Sequence, residues 1–317
     1  MNNVMMAQHG RYTASAMAEG KLMLYITAYG DIYRSTDFGG SFTLAYTGSG
    51  GYKGNAWINC SDDGKYCVAS RGGTSEYLYL SSDYGVTWGT TSITTGQQGY
   101  SNISGNGMYI VCANSGNLYI SSNYGSSFST SRTALGFYDI AISFDGSVIA
   151  MNSAGNIVYS KNYGSTWSTA TNSIPSINEA RGISITSDGT HVVFNITEYL
   201  ISQFDLCDLD VSNGSITTLT TSPAGQTFYG SVYSYDRTYT YSMLYDGTNT
   251  YIITAGAPNY TTFYTGTLIN YSAYIKTSKN GTYILTSISE VQKSSNNGSS
   301  FTTVSTGGSA ACINKGL

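Results

Sequence analysis

Charge is scarce in this chain. Of 317 residues, 14 are Lys or Arg and 18 are Asp or Glu, giving a net charge of −4 with no basic cluster. A protein that grips DNA or RNA needs rows of cations to displace counterions from phosphates, so nucleic acid is not an expected partner. No apolar run approaches the ~20 residues of a membrane-spanning helix, so no membrane insertion is expected. The opening Met1-Asn-Asn-Val-Met-Met-Ala-Gln-His9 lacks the basic and apolar regions of a signal peptide. Only two histidines, His9 and His191, are present, each alone in its stretch of sequence, and His191 reads as a satisfied strand residue rather than a base. The five cysteines (60, 67, 112, 207 and 312) include no C-x-x-C, which excludes a zinc site. No metal or cofactor is expected: neither a P-loop nor a dinucleotide turn is found. Cys60 and Cys67 face each other across an expected hairpin and are either a disulfide or small core residues.

What the chain has instead is 37 Gly, 30 Tyr and abundant Ser and Thr, a composition for many short strands and tight turns. One eight-residue pattern, S-x-[D/N]-x-G-x-[S/T]-[W/F], recurs five times. It spans Ser35–Phe42, Ser81–Trp88, Ser121–Phe128, Ser160–Trp167 and Ser294–Phe301. Its defining residues are Asp37, Gly39 and Phe42; Asp83, Gly85 and Trp88; Asn123, Gly125 and Phe128; Asn162, Gly164 and Trp167; and Asn296, Gly298 and Phe301. Each copy follows an alternating apolar strand such as Asn156-Ile-Val-Tyr-Ser160, so it is expected to be a hairpin turn. The Asp or Asn oxygen accepts turn N–H groups, Gly takes positive φ, and the ring is buried between sheets. Asn in three copies argues for a hydrogen-bond acceptor rather than a carboxylate. One or no carboxylate per loop is too few for calcium.

A second hairpin precedes each box, with its turn glycine at 20, 64, 107, 146, 189 and 281, and Asp236-Arg237 fills the remaining gap. The spacing, 39 to 48 residues, is that of a four-stranded propeller blade. An all-β, single-domain, seven-bladed β-propeller of four-stranded antiparallel blades is therefore expected. Its blades fall at about 11–46, 54–92, 98–132, 136–171, 179–221, 228–268 and 271–306. Blades five and six have lost the box; Asp205, Asp208 and Asp210 there alternate with Leu206 and Leu209 as on a solvated strand face. The tail Ser309-Ala-Ala-Cys312-Ile-Asn-Lys-Gly316 reads as another innermost strand, although Tyr12 to Glu19 already supplies one to blade one. Closure by the tail, closure by residues 3–8, or pairing with a neighbouring molecule to give an oligomer or filament all remain open.

The repeat resembles the Asp-box, or BNR, propellers of sialidases, sortilin-type receptors, xyloglucanases and photosystem II assembly factors. That resemblance implies the fold, while the hosts of the box have unrelated activities. Sialidases of this type carry an arginine cluster, a Tyr–Glu pair and an Arg-Ile-Pro segment. Here Pro175, Pro223 and Pro258 do not follow Arg-Ile, and no catalytic residue carries over.

In propellers the boxes share one face with the first hairpin turns, and ligands use the other. That face is expected to carry Asp31, Arg71, Glu76, Arg132, Glu179, Arg181 and Glu198, all otherwise solvated loop residues. Eight N-x-[S/T] sequons, at Asn59, Asn102, Asn195, Asn213, Asn259, Asn270, Asn280 and Asn297, would permit glycosylation on a secretory route. The uncharged surface suits an extracellular, cell-surface or virion location. The reading is a non-enzymatic structural or binding subunit with a protein or glycan partner. The rival classes are a glycoside hydrolase and an intracellular or organellar assembly factor.

Overall fold

A computed structural model describes residues 17–51, 56–73, 76–96, 99–114, 116–133, 137–153, 155–171, 179–198, 203–222, 227–233, 240–245, 250–255, 274–287 and 290–316. Among these residues the strands pair antiparallel in seven sheets, with no α-helix. The first sheet holds β1 (Met23–Thr27), β2 (Ile32–Ser35) and β3 (Thr43–Tyr46). The second holds β4 (Ala56–Cys60), β5 (Cys67–Arg71), β6 (Tyr77–Ser81) and β7 (Gly89–Thr94). The third holds β8 (Tyr100–Ile103), β9 (Ile110–Ala113), β10 (Asn117–Ser121) and β11 (Ser129–Thr133). The fourth holds β12 (Phe137–Ile142), β13 (Ile149–Ser153), β14 (Asn156–Ser160) and β15 (Ser168–Thr169). The fifth holds β16 (Glu179–Ile185), β17 (His191–Glu198), β18 (Gln203–Asp210) and β19 (Ser215–Thr221). The sixth holds β20 (Thr227–Tyr233), β21 (Thr240–Tyr245) and β22 (Thr250–Ala255). The seventh holds β23 (Tyr274–Thr277), β24 (Ile284–Ser287), β25 (Val291–Ser294) and β26 (Thr302–Ser305).

A last strand, β27 (Gly308–Ile313), returns to the first sheet and pairs with β1, giving the order β27-β1-β2-β3. Six sheets thus have four strands and the sixth has three, so the expectation of four in every blade is corrected for the described residues. The rest of the expected unit 228–268 lies outside them. The innermost strands touch in a closed cycle: β27, β4, β8, β12, β16, β20, β23 and back to β27.

That cycle also corrects the start of the first unit. Its inner strand is β27, in register Met23↔Ile313, Leu24↔Cys312, Tyr25↔Ala311 and Ile26↔Ala310, rather than Tyr12 to Glu19. Of the three fates open to the surplus strand, pairing within the ring is the one found. Residues 3–8 lie outside the described residues.

Alternation along each strand builds the core, because successive side chains point to opposite faces and both faces meet a neighbouring sheet. In β1, Met23 and Tyr25 pack with Leu285, Val291, Ala311 and Ile313 toward the seventh sheet. Leu24 and Ile26 pack with Ala56, Ile58, Cys67 and Ala69 of the second. The fourth sheet repeats this. Ile140, Ile142 and Met151 face Val111 and Leu118 of the third sheet, while Ala141, Ala150 and Ile157 face Phe194 and Ile196 of the fifth. Continuous apolar runs are what strands covered on both sides require.

The box is a clasp inside its turn. Ser35 Oγ donates to Asp37 Oδ1 at 2.6 Å and accepts Gly39 N at 2.9 Å, and Asp37 Oδ1 accepts Ser41 N at 3.0 Å. Asp and Asn interchange because of the last hydroxyl. Ser41 Oγ donates to Asp37 Oδ2 at 2.7 Å, whereas Asn123 Nδ2 donates to Ser127 Oγ at 2.8 Å. A hydroxyl can play either part. Asp83→Asn is accordingly expected to change stability by under about 0.5 kcal/mol, and Asp83→Ala to cost about 0.5–2 kcal/mol, as for a lost helix cap. Urea unfolding of both variants checks the contrast.

The box also joins sheets. The residue before its glycine is left-handed as well: Phe38, Tyr84, Tyr124, Tyr163 and Asn297 have φ of 55–63°. That conformation costs a bulky residue about 1–2 kcal/mol. Three of these rings meet a ring of the preceding sheet: Tyr163 stacks on Tyr109 at 4.9 Å and Phe38 on Tyr283 at 5.3 Å, and Tyr124 lies tilted against Tyr66 at 4.7 Å. A Cβ on Gly164 would lie 2.2 Å from Ile120 Cδ1 of the preceding sheet. The first hairpin turns use glycine the same way. Gly107 sits under Tyr66, Gly146 under Tyr109, and Gly20 under Tyr283.

Of the two readings open to Cys60 and Cys67, small core residues are found rather than a disulfide. The two oppose each other in register, yet all five cysteines are free. Cys67 Sγ turns toward the Gly64 carbonyl at 3.5 Å and packs in the core between the first and second sheets.

Candidate functional site

The innermost strands of all seven sheets enclose a central channel. Its cavity is lined by Cys60, Asp62, Asn102, Lys276, Cys312 and Lys315, among others, and measures about 680 Å³ counting its open mouth. The room for the centres of water-sized molecules is only about 80 Å³. Ligand pockets run to about 300–1,000 Å³ and one water needs about 10–15 Å³, so the channel admits waters and similarly small molecules.

Polar side chains brace the channel wall. An innermost strand has a sheet partner on one side only, which leaves backbone groups to satisfy on the other. Asn59 Nδ2 donates to Ser101 O and Asn102 Nδ2 to Ile140 O, each at 3.0 Å, and Asp139 Oδ2 accepts Ile183 N at 2.8 Å. Each bond crosses from one sheet to the next. Burial pushes the Asp139 carboxyl up, opposed by the Ile183 amide and the Lys276 ammonium. Burial lowers Lys276, with Asp139 opposing, and raises Asp62 against Lys315 and Lys279.

The turn carboxylates shift the other way. Asp37 is held low by the Ser35 hydroxyl and then the Ser41 amide and hydroxyl. Asp83, Asp145 and Asp188 are pushed up by partial burial, yet their turn hydroxyls and amides leave them lowered; Asp210 is lowered chiefly by Ser212. A lowered folded value means that the stabilisation is present above the unfolded pKa of about 3.9 and is lost as pH falls through the folded value. Asp62 and Asp139 oppose this, since protonation favours their folded forms. Chemical denaturation is thus expected to show a gain as pH falls through the raised values of Asp62 and Asp139. A steep loss should follow below about pH 4.

The expected ligand-face residues fare differently from one another. Arg71 and Glu76 are not solvated. They form a buried ion pair, Nη2 to Oε2 at 2.8 Å, with Arg71 1% exposed and Glu76 5%. Arg71 Nη2 also donates to Ser49 Oγ at 2.7 Å and Nη1 to Ala28 O at 3.4 Å, both on the first sheet's side. Asp31 turns inward to accept Gly48 N at 2.9 Å. Arg132 lies over the box ring of Trp167, 5.6 Å from its centroid. Its place in β11 thus braces two sheets. Glu179 and Arg181 lie in β16 and Glu198 in β17; their side chains fall outside the described residues.

Sequence reading missed a network on the fifth sheet. His191 Nδ1 meets Asp208 Oδ2 at 2.9 Å, and Tyr233 OH of the sixth sheet donates to Asp208 Oδ1 at 2.7 Å. His191 is therefore not alone, and Asp208 is buried rather than solvated. The signal was available as His191 and Asp208 on adjacent strands, but only the register, His191↔Asp210 and Val193↔Asp208, brings them together. Asp205 and Asp210 are half-buried, bonded to Thr221 and to Ser212.

The sequons divide likewise. Asn59 and Asn102 are engaged in the channel wall, and Asn195 is buried with Oδ1 accepting Ser231 Oγ at 2.7 Å. These three cannot carry a glycan in the folded protein. Asn213, Asn280 and Asn297 are exposed, and Asn259 and Asn270 lie outside the described residues.

No family model and no curated protein matches the sequence. Solved structures do. A GH74 xyloglucanase from Xanthomonas campestris superposes with a TM-score of 0.67 at 9% identity, covering 90% of this chain and 52% of that one. A putative 6-phosphogluconolactonase from Bacteroides fragilis gives 0.63 at 12% identity, over 95% and 99%. TolB from Acinetobacter baumannii gives 0.58 at 11%, over 92% and 66%. The fold is a β-propeller. This propeller spans about half the length of the xyloglucanase, and identities this low carry the fold and nothing of the activity.

Proposed function

We propose that this propeller is a non-catalytic structural or binding subunit on an exposed extracellular, cell or virion surface, with a protein or a glycan as its partner. We also read it as a seven-bladed wheel of the Asp-box type, on its seven-membered cycle of inner strands and its clasped turns. The observation that carries the functional reading is where the polar side chains go. Arg71 and Glu76 are spent on each other inside the protein, Asp31 on a loop amide, and Asp37, Asp83, Asp145, Asp188 and Asp210 on their own turns. A glycosidase needs two carboxyls about 5–10 Å apart across a space that admits a sugar, whereas the channel admits waters. Large rings face solvent at Tyr29, Tyr124 and Tyr163, 45–55% exposed, among few charges such as Lys21, Lys65 and Lys161 and the turn carboxylates. Such surfaces bind by stacking and adaptable hydrogen bonds rather than by charge.

The test is incubation with xyloglucan and other β-glucans, together with a glycan array and light scattering of the native particle. No release of reducing ends is expected, with saturable binding to a glycan or protein, or self-association, in its place. Turnover that copurifies with the protein would overturn the reading.

A further inference from the structure

Cys60 and Cys312 occupy the same position in neighbouring units. Each stands four residues before a turn glycine, Gly64 and Gly316, with φ of 77° and 78°. Because β4 and β27 are adjacent innermost strands, equivalent positions come side by side. Both cysteines line the channel cavity and share one packed cluster between the first and second blades. The strands are tied just beyond, where Gly316 N donates to Asp62 O at 2.8 Å. The neighbour with the largest effect on the Cys60 thiol is Cys312, followed by burial; both push it up. Cys112 and Cys207 are buried away from this cavity, and Cys67 is turned toward Gly64.

We propose that Cys60 and Cys312 are an oxidation site, converted by hydrogen peroxide into a disulfide that locks the closing strand β27 to the second blade. Channel size selects the oxidant: peroxide is close to water in size, whereas oxidised glutathione is far larger than the passage. Cys60 is half-buried and Cys312 is 2% exposed, so Cys60 reacts first. Its thiolate attacks one peroxide oxygen, the O–O bond breaks, and the departing hydroxide takes up the thiol proton to leave water and a sulfenic acid. The Cys312 sulfur then attacks the Cys60 sulfur. The S–O bond breaks, and the second hydroxide leaves as water with the Cys312 proton. Two thiols and one peroxide give one disulfide and two waters. The raised Cys60 thiol, facing Asp62, Asp63, Lys276 and Lys315 as well as Cys312, makes this slow at neutral pH and faster as pH rises.

The bond would close a loop of about 250 residues, the class in which cross-links stabilise most. The experiment treats the folded full-length protein with hydrogen peroxide or, separately, with oxidised glutathione, and maps peptides without reduction. Peroxide is expected to lower the intact mass by about 2 Da and to give a Cys60–Cys312 peptide. It should raise the melting temperature by roughly 5 °C or more in a dithiothreitol-reversible way. Glutathione is expected to do none of this. In Cys312→Ser, peroxide should instead leave a dimedone-reactive Cys60 about 16 Da heavier. A Cys60–Cys67 peptide, no cross-link, or equal reaction with glutathione would overturn the proposal. The wild-type map decides the pairing even if the variant fails to fold.

Discussion

Arg71→Ala is expected to destabilise the protein by about 3–5 kcal/mol, a fall in melting temperature of roughly 5–10 °C. The substitution leaves the Glu76 carboxylate in place, 5% exposed and without the guanidinium 2.8 Å away. It also empties the space against Gly30, where the guanidinium packs so closely that a Cβ would lie 2.7 Å from Arg71 Cζ. Desolvating two ions offsets much of their attraction, so the intact pair adds little by itself, whereas half a pair is costly. Arg71→Leu with Glu76→Leu should therefore recover most of what either single change loses. Differential scanning calorimetry of the two singles and the double measures that coupling. Additive losses would mean that the residues act separately.

Removing residues 307–317 is expected to abolish cooperative unfolding. The deletion strips the inner strand from the first blade, uncovers β1 as an open edge, and takes Ala310, Ala311, Cys312 and Ile313 from the cores on both sides. Losing an inner strand and both of its packed faces is comparable to the whole stability of a domain, about 5–15 kcal/mol. A free edge of this kind also invites pairing between molecules. Calorimetry and light scattering should show a broad transition and soluble aggregates, and a peptide of residues 307–317 added in trans should restore part of the transition. A truncated chain that melts sharply at the original temperature and stays monomeric would refute the role of β27.

The wheel was legible because repetition is a local signal. Five boxes and the hairpin glycines set both the period and the strands between them, and among the described residues six of the sheets have the four antiparallel strands that reading expects. What escaped was everything that depends on which unit sits beside which. Arg71 and Glu76 look like loop residues of one repeat, and only Ala28, Gly30 and Ser49 of the adjacent blade enclose them. Asp208 looks like a solvated member of an alternating strand until Tyr233 arrives from the next blade. Cys60 looks like a partner of Cys67 along the hairpin, whereas Cys312, 252 residues away, shares both its cavity and its core cluster. In the box the last ring is expected to reach between sheets, but the residue before the glycine gives no such signal, and it is there that Tyr124 and Tyr163, at φ > 0, meet Tyr66 and Tyr109 of the preceding blade.

The glycine seats carry a consequence for assembly order. Among the described residues five first-hairpin turns present a bare glycine to the blade before, filled by Tyr283 at Gly20, Leu22 at Gly64, Tyr66 at Gly107, Tyr109 at Gly146 and Val148 at Gly189. Near-identical repeats can dock in the wrong sequence or exchange between molecules while the chain folds. Seats that take different knobs act as addresses: a turn that seats a tyrosine would meet the wrong size at Leu22 or Val148, whereas Gly107 and Gly146 both seat a tyrosine, so the seams encode the order of the wheel in part.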